Sequence, residues 1–350
     1  MRRWISEAIT KIEADFQRSA DTHLFKLPIP GLRDIDIYLK DESTHPTGSL
    51  KHRLARSLFL YALCNGKLTQ HTPVIEASSG STAVSEAYFA QMLGLPFFAV
   101  MPRSTAQSKI DKITFYGGKC HFVDSAPQMH AAAVALASDT GGYFFDQFTF
   151  AERATDWRGN NNIADSIFAQ MQHEPHPIPH TVVMSAGTGG TSATLGRYIR
   201  YKRFETQLLV VDPENSVFYE SFVKNDPDLT QNCSSRIEGI GRPKVEKSFQ
   251  RDVIDDMMKV PDAASVATML WLDKLIGRKP GASTGTNLWG ALSVAKSMME
   301  KGQTGSIVSL MCDSGDRYLD TYYNPDWVQK TFGDIGDYSD ALNLWLTESA

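Results

Sequence analysis

The feature that most constrains the fold is a repeated alternation of short apolar runs with amphipathic helical stretches. The runs are rich in β-branched residues and too short for helices, whereas the stretches between them span several helical turns. The predicted strands are Ile35–Leu39, Val74–Glu76, Phe97–Val100, Thr181–Met184 and Gln207–Val211. The predicted helices are Trp4–Phe16, Leu50–Cys64, Ser81–Leu93, Ser108–Tyr116 and Ser192–Arg200. This order predicts an α/β fold with mostly parallel sheets flanked by helices on both faces.

Length and charge narrow the function classes. With 350 residues, of which 42% are hydrophobic, the chain is expected to form two lobes with a cleft. A net charge of -5 provides no basic field, so neither nucleic acid nor membrane is expected as a partner. Charges interrupt residues 1–22, which excludes a secretory signal there and predicts a cytoplasmic protein.

Cysteine and histidine spacing gives no indication of a metal site. No two cysteines have the separation of a zinc or redox motif, and free thiols are expected at Cys64, Cys120, Cys233 and Cys312. The stretch His173–His180 contains three histidines, but its three prolines favour a solvated surface linker. We therefore predict no bound metal.

Loops that leave the carboxyl ends of parallel strands converge on one crevice, where chemistry is expected. The first such loop, Lys40–Arg53, reads KDESTHPTGSLKHR and leads into a helix that Ser49 is expected to cap. Lys51 would lie on the first turn of that helix. There the helix dipole disfavours a charged amine and helps to expose the neutral form that imine formation needs.

A second loop, Gly187–Thr191, reads GTGGT between a strand and a helix. Glycines let the backbone approach an anion closely, and N–H groups at a helix start bind phosphate. A nicotinamide-binding interpretation competes here, because Asp212 ends the next strand near the spacing of a ribose-binding acid. Ser192 at the third glycine position weighs against that interpretation.

Two further loops supply hydroxyl groups. Glu76–Ala83 reads EASSGSTA between a strand and a helix, and its hydroxyls and N–H groups suit a carboxylate. Cys312–Tyr318 reads CDSGDRY after an apolar run and offers Ser314 as a neutral hydrogen-bonding group.

Together the four loops resemble, in residues and in order, the fold-type II pyridoxal-phosphate enzymes of the cysteine synthase and cystathionine β-synthase family. The resemblance covers Thr22 to Leu319 and implies the two-lobed architecture of the tryptophan synthase β subunit. It implies pyridoxal 5′-phosphate as the cofactor and Lys51 as its Schiff-base lysine. The implied phosphate cradle consists of Gly187, Thr188, Gly189, Gly190 and Thr191, and Ser314 matches the residue that faces the pyridine nitrogen.

The resemblance also assigns a substrate site and reveals departures. Residues that match the site for the substrate carboxylate are Ser78, Ser79, Gly80, Thr82 and Gln147, and EGIGRP at Glu238–Pro243 resembles a loop that borders the cleft. Ser81 stands where the family usually has an asparagine that contacts the cofactor ring. Leu50 and His52 replace a phenylalanine and an aspartate beside the lysine, and GASTG at Gly281–Gly285 matches a family segment only loosely.

The implied chemistry is loss of a leaving group from the β-carbon of a small amino acid. A hydroxyl at Ser314 leaves the pyridine nitrogen neutral, which favours β-elimination or β-replacement over transamination, with Lys51 as general base. HPTGSLKHRLARSLFLY and EASSGSTAVSEAYFA resemble the L-cysteine desulfhydrase branch, so hydrogen sulfide, pyruvate and ammonia are the expected products. Cysteine synthesis from O-acetylserine and sulfide is the alternative reaction. A catalytically silent binding protein is the alternative from another class.

The family also implies domain limits and an assembly. The larger, cofactor-binding lobe is expected to comprise residues 1–52 and 155–350, and a smaller mobile lobe residues 53–154. A homodimer is expected because family members are commonly dimers.

Overall fold

The computed structural model describes residues 1–18, 21–32, 34–159 and 162–347. These residues form two compact units. The first unit comprises the described residues of Met1–Asp21 and His45–Asp156, and the second comprises those of Thr22–Thr44 and Trp157–Ala350. Each unit is therefore built from two separate segments of the chain.

Strands and helices alternate along most of the chain. The strands are β1 (Leu24–Lys26), β2 (Ile35–Asp41), β3 (Val74–Ala77), β4 (Phe97–Pro102), β5 (Lys119–Val123), β6 (Tyr143–Phe144), β7 (Thr181–Ser185), β8 (Gln207–Pro213), β9 (Asp256–Val260) and β10 (Gly305–Met311). The α-helices are α1 (Arg2–Gln17), α2 (Lys51–Cys64), α3 (Ser81–Leu93), α4 (Gln107–Phe115), α5 (Met129–Thr140), α6 (Gln147–Ala154), α7 (Ile163–Met171), α8 (Gly190–Lys202), α9 (Phe218–Lys224), α10 (Asp262–Ile276), α11 (Ala282–Glu300), α12 (Pro325–Phe332) and α13 (Gly336–Asn343).

The first unit contains a parallel sheet with strand order β5-β4-β3-β6. Successive side chains of a strand point to opposite faces, and both faces of this sheet are apolar. Val74 and Ala99 belong to a core that also contains residues of α1, α2 and α3. Ile75 and Val100 belong to a core with α5. Each fully buried valine or isoleucine stabilises the unit by roughly 1.5–3 kcal/mol.

The second unit contains a sheet with strand order β1-β2-β10-β7-β8-β9, in which only β1 pairs antiparallel among the described strands. Val183 and Val211 pack on one face with α10 and α11. Gly290 lets α11 lie close to this face, because a Cβ there would overlap the Val211 side chain. Val182 and Val210 are buried on alternate strand positions, and α8 packs against β8.

These sheets confirm the predicted α/β class. Every predicted strand begins at the predicted residue and extends one or two residues further at its carboxyl end. The histidine-rich stretch forms the connection between α7 and β7, as predicted for a linker. No helix in the part of the chain that the structure describes combines the length and apolar character needed to span a membrane.

The two units differ from the expected limits at the amino terminus. Residues 1–52 were expected to belong with the larger lobe, but α1 and Lys51 lie in the smaller unit. The physical reason is that α1 packs on α2 and α3. Asp15 accepts hydrogen bonds from Tyr88 at 3.0 Å, and Glu13 pairs with Arg56 at 3.1 Å. The mobility of residues 53–154 stays a prediction.

Candidate active site

The predicted Schiff-base lysine begins a helix. Lys51 is the first residue of α2 and is half-buried. The structure places Leu50 at the cap position, and Ser49 accepts the Lys51 backbone N–H at 3.3 Å from the preceding turn. The expected cap role of Ser49 is thus replaced by a contact within the turn. The lysine is nevertheless on the first helical turn, as predicted.

The turn before the lysine is attached to α3. Thr47 Oγ1 lies 2.8 Å from Ser85 Oγ and 3.1 Å from His52 Nδ1. The buried His52 ring stacks on His45 at 5.0 Å and packs on Phe89 at 4.8 Å between ring centroids. Histidine at this position therefore helps to hold the lysine-bearing turn against the helix that follows the SSGST loop.

The residues predicted for the substrate carboxylate come together in the first unit. Ser78, Ser79 and Gly80 form the turn between β3 and α3, and Ser81 is the first residue of α3. The buried Thr82 donates its hydroxyl to Gln147 Oε1 at 2.8 Å. Because Oε1 accepts this bond, the amide NH₂ end of Gln147 is the end that can donate to a carboxylate.

Asp146 sets the direction of the chain at Gln147. Its backbone is left-handed, with φ 49° and ψ 66°, although it carries a side chain. Asp and Asn tolerate this conformation better than other non-glycine residues, at a cost of about 1 kcal/mol. This position was missed in the sequence, because a DQF triplet does not show which residue takes a positive φ.

The predicted phosphate loop lies at the amino terminus of α8 in the second unit. Gly189 has a φ of +87°, and a Cβ there would lie 2.6 Å from Phe249 Cα. A Cβ on Gly187 would overlap the carbonyl oxygen of Gly239. Gly241 donates its N–H to Ala186 O at 2.8 Å, so the EGIGRP segment borders the glycine loop. Close backbone packing therefore requires glycine at positions 187 and 189.

The charge pattern of the loop suits an anion. α8 has 13 residues and no acidic residue in its first turn, so its N–H groups face no local negative charge from that turn. Thr188 Oγ1 accepts the Gly190 N–H at 3.3 Å, and Ser192 donates to Gly189 O at 3.0 Å. These local bonds fix the conformation of the loop.

Ser314 follows β10 and caps a short 3₁₀ turn. Its hydroxyl donates to Asp316 Oδ2 at 2.8 Å and accepts the Asp316 N–H at 3.3 Å. The backbone of Ser314 forms an isolated antiparallel β-bridge with Pro280. The Gly281 N–H donates to Asp313 O at 3.2 Å. The loosely matched GASTG segment thus starts beside Ser314. β10 and β7 are neighbours in one parallel sheet. Ser314 and the glycine loop therefore both follow carboxyl ends of strands at the same edge of that sheet.

Asp212 contacts its neighbours through one carboxylate oxygen. It is buried, and its Oδ2 accepts the Tyr219 N–H at 2.9 Å and lies 3.4 Å from Lys259 Nζ. Burial raises the pKa of Asp212, and the neighbouring Lys259 opposes that rise. A ribose-binding acid needs a carboxylate that is directed at the ligand, so these contacts disfavour a nicotinamide site.

The structure divides the predicted residues between the units. Lys51, the Ser78–Thr82 segment and Gln147 belong to the first, whereas Gly187–Thr191 and Ser314 belong to the second. Among the described residues, no cluster of three or more histidine, cysteine or acidic side chains could hold a metal ion.

Comparison with known proteins points to one family. The family described as pyridoxal-phosphate dependent enzyme matches residues 17–313. L-cysteine desulfhydrase Cds1 of Mycobacterium tuberculosis is 59% identical over 331 residues, which cover 93% of this chain and 90% of that protein. A putative cysteine synthase of Sinorhizobium fredii is 27% identical over 327 residues, which cover 90% of this chain and 91% of that protein.

The fold is also found among solved structures. A crystal structure of an O-ureido-L-serine synthase mutant with bound O-ureido-L-serine matches with a TM-score of 0.75 and 25% identity. The match covers 94% of this chain and 96% of that chain. The similarity therefore extends over both compact units.

Proposed function

Because the chain belongs to the pyridoxal-phosphate dependent enzyme family, we propose that it is an L-cysteine desulfhydrase, which converts L-cysteine and water into hydrogen sulfide, pyruvate and ammonia. The observation that carries this proposal is the 59% identity to a desulfhydrase over 93% of the chain. A match of this extent spans both units and hence both groups of predicted site residues.

The residues present fit the cofactor. The glycine loop excludes side chains by close packing at Gly187 and Gly189, which leaves backbone N–H groups for the phosphate. Lys51 supplies the amine that would hold the cofactor covalently, and Ser314 supplies a neutral hydroxyl for the pyridine nitrogen. Ser81, at the start of α3, would stand where the family has an asparagine near the ring hydroxyl.

The cofactor, when bound, withdraws electrons from the substrate α-carbon. The chain then has three tasks. The first turn of α3 and the Gln147 amide bind and orient the substrate carboxylate through N–H and hydroxyl donors. Lys51 Nζ accepts the α-proton and returns it as the β-carbon–sulfur bond breaks and hydrogen sulfide leaves. The single hydroxyl proton of Ser314, which Asp316 accepts at 2.8 Å, would have to turn towards the pyridine nitrogen to bond it, and the hydroxyl brings no positive charge there.

Product analysis tests the proposal. Purified enzyme with bound cofactor is incubated with L-cysteine alone, and separately with O-acetylserine and sulfide. Equal release of sulfide and pyruvate from L-cysteine is expected. Cysteine formed from O-acetylserine, without pyruvate from L-cysteine, would identify a cysteine synthase instead. If the protein turned over neither substrate and held no cofactor covalently, it would be a catalytically silent binding protein.

The compartment and the assembly complete the proposal. We propose a cytoplasmic enzyme, which is consistent with the absence of a disulfide bond at Cys64, Cys120, Cys233 and Cys312. A homodimer is proposed because the family that the chain belongs to is commonly dimeric.

A further inference from the structure

Two glutamates are buried beneath the loop that is proposed to bind the substrate carboxylate. Glu76 lies near the end of β3, and Glu86 lies in the second turn of α3. Both side chains are 0% exposed. A buried carboxyl group is costly unless it is hydrogen-bonded or neutral, so this pair needs a role that offsets the cost.

Glu76 connects the two parts of the substrate site. Its Oε1 accepts the Ala77 N–H at 2.7 Å, directly before the SSGST segment. Its Oε2 accepts the Gln147 N–H at 3.2 Å. Gln147 in turn accepts the Thr82 hydroxyl at 2.8 Å. One carboxyl group therefore holds the start of the loop and the residue opposite it.

Glu86 is the member of the pair that carries a proton. Neither of its oxygens accepts a hydrogen bond from an N–H or O–H group of the described residues. The Glu86 and Glu76 side chains interact, and two carboxyl groups can hydrogen-bond only when at least one is protonated. Glu76 already accepts two N–H groups, so the shared proton belongs on Glu86. Burial raises the pKa of both groups, which keeps the pair protonated.

We propose that Glu86 is a positioning residue that, as a neutral acid, donates to Glu76 and so holds Gln147 and the Ser78–Thr82 segment in place for the substrate carboxylate. The proposal rests on the proposed function for the identity of the substrate. Glu86 acts through Glu76 and does not touch the reacting atoms.

Neutrality matters as much as the hydrogen bond. An ionised Glu86 would place a negative charge beneath an anion-binding loop, which would repel the substrate carboxylate. The effect of losing Glu86 is therefore expected on substrate affinity, because the carboxylate site shifts. The rate of the bound complex is expected to change less than the affinity, because Lys51 lies on α2 and its preceding turn contacts α3 through the Thr47 hydroxyl and not through Glu86.

The test compares two neutral replacements. Glu86→Gln keeps a donor for Glu76, whereas Glu86→Leu removes it and keeps the volume. Glu86→Leu is expected to raise KM for L-cysteine about tenfold with a smaller change in kcat, as loss of one buried hydrogen bond predicts. Glu86→Gln is expected to restore most of the affinity. Leu93→Ala, at the buried end of the same helix, is the control and should lower stability without raising KM.

Two readouts separate this proposal from the proposed function. Calorimetric titration with L-serine measures amino-acid binding without sulfide release. The affinity for L-serine is expected to be lower in Glu86→Leu than in Glu86→Gln and the wild type, as for L-cysteine. The infrared band of protonated carboxyl groups at neutral pH should be weaker in Glu86→Gln than in the wild type. A wild-type enzyme that releases no sulfide would overturn the proposed function alone. Unchanged KM in Glu86→Leu, equal losses of affinity in both variants, or an infrared band that is the same in Glu86→Gln and the wild type would overturn the positioning role.

Discussion

Gly189 illustrates how closely single residues are constrained in the phosphate loop. Its φ of +87° suits glycine, and Phe249 Cα would lie 2.6 Å from an added Cβ. Sequence reasoning selected this glycine for its ability to approach a phosphate. The structure adds that the other side of the same residue is closed by backbone, so a side chain has no direction in which to fit.

Gly189→Ala is expected to weaken cofactor binding by about tenfold or more, because a displaced loop and left-handed alanine cost about 1–3 kcal/mol. Titration of the cofactor-free protein with pyridoxal phosphate measures the change. Gly302→Ala is the matched control, since its φ is +62° but a Cβ there meets nothing within 4 Å. Equal affinities of the two variants for pyridoxal phosphate would contradict a role of the Gly189 conformation in cofactor binding.

Thr82→Val tests the hydroxyl that orients Gln147. The substitution conserves shape but removes the 2.8 Å donor to Gln147 Oε1, so the amide is free to turn its acceptor towards the substrate. KM for L-cysteine is expected to rise about tenfold, because about 1–2 kcal/mol is lost with the bond. Thr82→Ser keeps the donor and should retain affinity. If both variants behave alike in steady-state kinetics, the hydroxyl has no orienting role.

At the scale of elements, the carboxyl pair between β3 and α3 links stability to pH. Burial raises the pKa of Glu86 and of Glu76, and the charge of Asp146 raises that of Glu76 further. The folded protein then binds protons that the unfolded chain has released. Stability is therefore fully present below the ordinary glutamate pKa of about 4.3 and falls as pH rises through the raised values.

Glu86→Gln is expected to flatten this dependence. Removing one ionisable group from the pair should make the variant about 1–3 kcal/mol more stable than the wild type at about pH 9, with little difference at about pH 5. Urea unfolding across this pH range gives the comparison. Glu7→Gln makes the same charge change on the exposed surface and should leave the slope unchanged. If the free energy of unfolding of Glu86→Gln varied with pH as steeply as that of the wild type, another group would be responsible for the pH dependence.

Elements were predictable where a local pattern specifies them. The β-branched runs of β3, β7 and β8 begin at the predicted residues, because a strand buried on both faces has a continuous apolar sequence. The two-residue β6 has no such pattern, since its pairing with β3 defines it. The Glu76–Glu86 contact was also missed. It joins a strand and a helix, and neither residue is distinctive by itself.

At the scale of the whole molecule, the motifs predicted the family but not the division of the chain. Lys51, the glycine loop and Ser314 are recognisable because the chemistry restricts their residue types. The position of α1 depends on tertiary contacts, such as Tyr88 with Asp15, which no motif reveals. Amino-terminal residues therefore lie with the smaller unit.

The proposed homodimer is a prediction at this scale. Sedimentation equilibrium of the enzyme with bound cofactor is expected to give twice the mass of one chain. The measurement should be repeated over a wide range of protein concentrations, because a weak dimer would dissociate on dilution. A single-chain mass at all concentrations would contradict the prediction without affecting the proposed chemistry.

In the proposed function, Lys51 holds the cofactor and removes the α-proton of cysteine. The most direct measurement is the visible absorbance spectrum of the wild type and of Lys51→Ala, with sulfide and pyruvate release followed after addition of L-cysteine. Lys67→Ala, an exposed lysine after the same helix, is the control. We expect a lysine-dependent cofactor band, and a loss of about a thousandfold or more in the rate of product release for Lys51→Ala alone. An unchanged band and unchanged product release in Lys51→Ala would contradict this role of Lys51.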